Sequence, residues 1–453
     1  MDASLQQRYL EELKAFLRIP SISTDPSHKG DMLAAAEFVV AQLESAGMRN
    51  VGLVERQGSN PIVYGDWLDA PGKPVLLMYG HYDVQPPDPL DEWKSPPFEP
   101  EVRGSNIYAR GSADDKGLTL ILIKAVERLM QRDGRLPVNV RFLIEGEEES
   151  GGEHISEFVQ SGDTRLKADA AVICDTEMFA PELPTICVGL RGIVYGELHV
   201  QGAEADLHSG VYGGAAPNPI QAIAEILTAL KDRDGHILIP GFYDRVQPPS
   251  PTEREAWARL PFDPEHFRAQ EMKAPAITGE PEKGILERMW ARPTLEVHGI
   301  RGGFTGEGAK TVIPARAVAK ISMRLVADQQ PDQASAQLAS AVATACPKGV
   351  TAEWKPFHSA APSMTDPNNK FIQVCAQAMT EVFGNKTVYI RSGGSIPIAG
   401  LFDKHLGIPS VLAGFGLPDD NLHSPNEKLY LPNFYRGIEA IMRYLEMLAG
   451  VTK

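Results

Sequence analysis

The sequence is poor in cysteine. Its four residues, Cys174, Cys187, Cys346 and Cys375, show no CxxC spacing and sit in separate apolar surroundings. This excludes a disulfide framework and reads as buried thiols in a reducing, cytoplasmic compartment. Long apolar runs are missing too. Stretches such as Leu118–Ile123 fall far short of the about 18–20 residues that span a bilayer. Positive charge is in deficit: 44 Lys and Arg against 59 Asp and Glu leave a net charge of −15. Such a chain repels phosphate backbones and anionic membrane surfaces, so neither nucleic acid nor membrane is an expected partner. There is no HExxH, no GxSxG, no GxxxxGK[ST] and no GxGxxG, which leaves single-zinc helix proteases, serine-elbow hydrolases and nucleotide-binding loops without support. No internal repeat and no low-complexity tract occurs. The amino terminus, MDASLQQRYLEELKAFLRI, lacks the apolar core of a signal peptide. Its Leu5, Leu10, Leu13, Phe16 and Leu17 instead recur at helical spacing.

A chain of 453 residues is long enough for two to three domains. Short apolar runs predict strands at Val75–Tyr79, Val138–Ile144, Ala170–Cys174 and Pro409–Leu412, with a helix from Gly117 to Gln131 between the first two. Apolar strands alternating with helices predict a mostly parallel sheet covered on both faces. Two loops are expected, the proline-rich Gln85–Pro100 and Gly241–Pro264. The middle of the chain reads strand Ile193–Val200, helix Pro219–Leu230, strands Thr294–Val297 and Val318–Val326, helix Gln333–Ala345 and strand Thr351–Trp354. That order is βαββαβ, the ferredoxin-like unit, with an insertion after its first helix. The expected organisation is an α/β catalytic domain in two parts, 1–186 and 358–453, with a smaller α+β domain, 187–357, inserted.

The chemistry gathers where the apolar strands end. Val75–Tyr79 runs into Gly80-His81-Tyr82-Asp83, Val138–Ile144 into Glu145-Gly146-Glu147-Glu148-Glu149, and Ala170–Cys174 into Asp175. A later turn carries Asn421-Leu422-His423, and Asp114-Asp115 lie just before a helix. Open α/β sheets bind ligands at the carboxyl ends of their strands. Singly, each group has a plainer reading. His81 is a turn residue, Glu147–Glu149 a solvated helix start, Asp175 an N-cap and His423 loop decoration. Jointly they place two histidines and several carboxylates on one rim, which like-charge repulsion forbids unless protons or cations compensate. A pair of divalent ions does so, and nitrogen and oxygen donors suit zinc. The residues alone do not choose among Glu147, Glu148 and Glu149, or between Asp114 and Asp115.

The chain resembles the dinuclear zinc exopeptidases and deacylases that include carnosinase-like dipeptidases, acetylornithine deacetylase and succinyl-diaminopimelate desuccinylase. The matching segments are Met78–Pro86, Ala109–Gly117, Glu145–Gly152, Ile173–Glu177, Ala205–Gly214, Lys310–Val326, Gly393–Ile398 and Leu422–Glu427, in the family's order and with wording closest to the dipeptidase branch. The resemblance implies a zinc-exopeptidase-like fold whose inserted domain serves as lid and dimerisation surface. It implies His81, Asp114, Glu149, Asp175 and His423 as ligands of two divalent ions, zinc with manganese or cobalt as substitutes, and Asp114 as the bridge, followed by a cis peptide. It also implies Glu148 as general base and Asp83 as the group orienting His81. His208 would stabilise the oxyanion in the partner subunit's site of a homodimer. Arg324 would grip the substrate's terminal carboxylate, with Thr311, Gly394 and Ser395 adding hydrogen bonds. The implied activity is cleavage of dipeptide amide bonds. N-acyl amino-acid deacylation is the alternative, and a non-catalytic binding relative a third reading.

Overall fold

Strands with apolar side chains on both faces belong inside a sheet that is covered on both sides. In the computed structural model, which describes residues 1–451, four such strands lie side by side and parallel. Their order is Asn139–Glu145, Val75–His81, Ala170–Ile173 and Ser410–Leu412. Ile62–Trp67 adds antiparallel to the first, with Arg49–Val54 beyond it. Thr185–Leu190 adds antiparallel to the last through Leu412 and Cys187. The pleat sends Leu76 and Met78 into a core shared with helices Ala3–Leu17, Lys29–Ser45, Lys116–Asp133, Lys370–Phe383 and Leu431–Leu448. Leu77 and Tyr79 point to the other face and are equally buried, Tyr79 edge-on to Phe402.

Helix Lys116–Asp133 ends at Gly134, whose φ of 68° gives the left-handed cap that an L side chain resists. The amino-terminal helix buries Tyr9, Leu13, Phe16 and Leu17, much the stripe its spacing predicts. None of the four cysteines forms a disulfide. Cys346 departs from expectation in being only half-buried, because it caps the end of helix Pro331–Ala345, where its thiol faces Pro347 O and Val350 O.

The chain forms two compact units. The first comprises Met1–Val188, Thr365–Ile390 and the chain from Leu401 on. The second comprises Gly189–Met364 and Arg391–Gly400. The second unit holds a four-stranded antiparallel sheet in the order Thr294–Gly302, Arg316–Leu325, Gly192–Gln201, Thr351–Ala360. Helices Pro219–Leu230 and Pro331–Ala345 cover one face through Ile223, Ile226, Leu338 and Val342. The expected stretch 187–357 therefore stops too early, since its last strand keeps pairing to Ala360 past a register shift at Pro356/His358. It also omits Arg391–Gly400, which runs from the end of strand Val388–Ser392 through the Gly393–Ser395 turn into helix Pro397–Leu401 and bonds to Arg191 and Arg324.

The expected loop Gly241–Pro264 contains a helix, Pro251–Ala258. Its start was written in the sequence: Ser250 and Glu253 form a capping box around Pro251. Gln85–Pro100 is a loop as expected, apart from the single turn Leu90–Glu92.

Candidate metal centre

Local packing explains how each strand end delivers its group. A Cβ on Gly80 would stand 2.0 Å from Thr119 Oγ1, so glycine is what lets helix Lys116–Asp133 approach the His81 strand. That approach lets the backbone N–H of His81 (3.0 Å) and the Thr119 hydroxyl (2.7 Å) donate to Asp115 Oδ2. Asp115 is occupied in tying strand to helix, while Asp114 faces the imidazoles. The peptide between the two is cis. Glu147 is likewise occupied, accepting from the backbone N–H of Asn60 (2.7 Å) and of His154 (3.2 Å). Glu148–Ser150 then form one tight turn closed by Gly151 and Gly152, both at positive φ.

These elements gather two groups of three residues that share Asp114. One is His81, Asp114 and Asp175; the other is Asp114, Glu149 and His423. Within each, one donor atom per residue lies within 4.8 Å of the others. His423 Nε2 is 2.9 Å from Asp114 Oδ2 and 3.3 Å from Glu149 Oε1, and His81 Nε2 is 3.2 Å from Asp114 Oδ1. Asp83 supports the cluster from behind. Its Oδ1 lies 3.3 Å from His81 Nδ1, and its Oδ2 accepts from Glu149 N at 3.0 Å and from the Ser23 hydroxyl at 2.6 Å.

Two residues that sequence reasoning passed over complete the frame. Gln85 donates to Glu149 Oε2 at 2.7 Å. Glu427, fully buried, accepts from the backbone N–H of Gly111 (2.9 Å), Ala113 (2.9 Å) and Asp114 (3.1 Å) and from Arg110 Nη1 (2.8 Å). The Asp114 loop is wound around this one carboxylate, which lies just past His423. Its signal was its place inside the segment Leu422–Glu427.

Whether cations fit can be tested on the side chains. His81 Nε2 and Glu149 Oε1 are buried without a hydrogen-bond partner, which folded proteins tolerate only where something else satisfies the atom. The protonation balance agrees. Burial and the charge of Asp114 push the Asp175 carboxyl well up. Burial lifts Glu148 to about 8 and Asp115 to about 7. The hydrogen bond to Asp114 and the nearby Glu149 carboxylate raise His423 to about 10. Burial opposes a charge on His81, yet Asp114 and Asp83 hold its pKa well above the ordinary imidazole value. The centre thus keeps protons that divalent cations would displace, and its oxygen and imidazole donors suit such ions.

Residues 77–447 match peptidase family M20/M25/M40. The chain belongs to this family. It is 34% identical to the Cys-Gly metallodipeptidase DUG1 of Candida albicans, over 97% of this chain and 94% of that one. Among solved structures, human carnosine dipeptidase 1 superposes with a TM-score of 0.85 at 30% identity, covering 98% of this chain and 97% of that one. The M20 metallo-carboxypeptidase Sso-CP2 of Sulfolobus solfataricus gives 0.87 at 32%, covering both chains fully. The protein is a metal-dependent peptidase of the M20 family with two metal ions.

The remaining candidates of this M20 peptidase lie in the second unit, in two places. His208 is exposed and pairs with Val312, its Nδ1 accepting from Gly210 N at 3.0 Å; Ser209 N donates to Thr311 O at 3.0 Å. Arg324 Nη1 donates to Ser395 Oγ at 2.8 Å, and Gly394 stands beside Ser395 in an exposed turn. The structure thus sets His208 opposite Val312, one residue on from Thr311, and bonds Arg324 to Ser395. His154 is buried and its Nδ1 is bonded to Asn60 O.

Proposed function

We propose that this M20 peptidase is a dipeptidase that hydrolyses the amide bond of small dipeptides at a dinuclear zinc centre. His81 and Asp175 would hold one ion and Glu149 and His423 the other, with Asp114 shared between them. The observation that carries this reading is the pair of three-residue groups sharing Asp114. The substrate class follows relatives named for Cys-Gly and for carnosine.

Divalent ions held there would supply Lewis acidity toward the scissile carbonyl and a bound water. The chain's residues do the rest. Glu148 takes the proton of the attacking water and hands it to the leaving amine, as a carboxylate general base does. Asp83 fixes the orientation of His81 and raises its basicity. Arg324 grips the substrate's terminal carboxylate, to which a guanidinium presents two parallel donors, with Thr311, Gly394 and Ser395 adding hydrogen bonds. His208 stabilises the developing oxyanion in the partner subunit of a homodimer formed through the inserted unit. The enzyme works in the cytoplasm.

A metal-replete screen of dipeptides with free and blocked ends, alongside N-acyl amino acids and longer peptides, tests the reading. Rapid cleavage of dipeptides that carry both free ends is expected. Preference for acyl amino acids would make the protein a deacylase, and preference for longer peptides a carboxypeptidase like Sso-CP2. Mixing His208→Ala with Glu148→Gln should restore part of the activity in hybrid dimers; no recovery would show that the site is not shared.

A further inference from the structure

Arg191 stands at the corner between strands Thr185–Leu190 and Gly192–Gln201, and neither composition nor motif singles it out. Three hydrogen bonds fasten it to one short loop. Its backbone N–H donates to Gly394 O at 3.1 Å, and its Nε donates to Gly393 O at 3.0 Å. Its carbonyl accepts from the Ser395 hydroxyl. A Cβ on Gly393 would lie 2.6 Å from Arg191 Nη2, so glycine there makes room for the guanidinium. The same Ser395 oxygen accepts from Arg324 Nη1 at 2.8 Å, and Arg324 pairs in the sheet with Ile193, two residues on from Arg191. Both guanidiniums therefore attach to one loop.

What they lack is an anion. Neither has a carboxylate partner among the described residues, and Arg191 Nη1 is buried with no hydrogen-bond partner at all. Burial, then the charge of Arg324, brings the Arg191 pKa down to about 10. The acid that counters this, Glu296, is exposed and already pairs with Lys231 at 3.0 Å. Two neighbouring cations without a counter-ion, in a chain that carries net charge −15, are costly unless a ligand supplies the negative charge.

The geometry points to Arg191 as a second guanidinium of the carboxylate subsite. Its free Nη1 takes one oxygen of the substrate's carboxylate while Arg324 takes the other, and its remaining donors hold the Gly393–Ser395 loop in place. This rests on the proposed role of Arg324 and sharpens it: the subsite discriminates a carboxylate from a neutral amide by two charges rather than one.

The test compares the wild type with Arg191→Met and Arg191→Lys on a good substrate and on the same molecule as its C-terminal amide. Arg191→Met should raise KM for the free acid by about tenfold or more while changing kcat less than about threefold. It should change KM for the amide by less than about twofold, so that the preference for acid over amide falls about tenfold. Arg191→Lys, which keeps the charge and loses the fork, should fall between. Equal losses on acid and amide would mean that Arg191 only supports the loop, and an unchanged KM for the acid would remove it from the subsite; either overturns the inference. Arg191→Ala supplies a second readout. Millimolar methylguanidinium should lower its KM for the acid, whereas sodium chloride at the same concentration should not. Absence of such rescue in a variant that melts like the wild type also overturns the inference. Acyl amino acids carry the same carboxylate. If the wild type cleaves those and no dipeptides, the dipeptidase reading fails while the acid-to-amide ratio is still measured.

Discussion

The two units of the chain solve opposite electrostatic problems. The first crowds Asp114, Glu148, Glu149 and Asp175 around two imidazoles, and protons stand in where positive charge is wanted. The second bonds Arg191 and Arg324 to one loop, with no carboxylate paired to either among the described residues. The supports differ as well. Backbone N–H groups converging on Glu427 and a side-chain bond to Asp83 hold the acidic centre. A glycine loop without regular structure holds the cationic one. A buried cluster of one sign, kept despite its cost, marks the place where a ligand of the other sign belongs.

The sharpest way to break this contrast is Asp114→Ala. It removes the group shared by both metal-binding sets, so both ions should leave and turnover should vanish. Metal analysis of the purified variant checks it, and a full complement of two ions would deny Asp114 the bridging role. Next comes Glu148→Gln, which keeps shape but not the base. Both ions should remain while kcat falls by about 10²–10⁴-fold; metal loss instead would make Glu148 a ligand. A smaller effect is expected for Asp83→Asn, which weakens the hold on His81. Metal affinity should drop about 10–100-fold, read by competition with a chelator, and unchanged affinity would reduce Asp83 to a packing role.

The mildest probe is pH. In the metal-free protein the His423 pKa is raised from 6.5 to about 10, so its proton is present between pH 7 and 9 and must leave when a cation binds. The raised carboxyls of Asp175 and Glu148 act in the same direction. Metal loading should therefore release protons, and metal affinity should fall as pH is lowered. Calorimetry at pH 7.5 in two buffers of different ionisation enthalpy measures the release; identical heats would refute it. The same sign applies to folding. The stabilisation from the His423 proton is complete below about 6.5 and fades as pH rises through about 10, so the metal-free protein should melt lower at pH 10 than at pH 7.

Much of the sheet was legible because its strands are apolar on both faces and stop abruptly at His81, Glu145 and Asp175. The inserted sheet showed through alternation, as in Gly192–Gln201, whose even-numbered positions from Val194 to Val200 are buried. Helix Pro251–Ala258 escaped notice because eight residues are too few for a stripe to outweigh the prolines around them.

The order of the strands and helices in the sheet and the acid-rich strand ends were determined by the sequence itself, because periodicity and the ends of apolar runs are local properties. The choice of Asp114 over Asp115 and the diversion of Glu147 into the Asn60 loop needed the tertiary structure. So did the winding of a loop around Glu427 and the meeting of Arg191 with Arg324. Neighbouring carboxylates are alike in sequence; they differ only in which backbone donors the fold brings to each, and those donors come from residues far away along the chain.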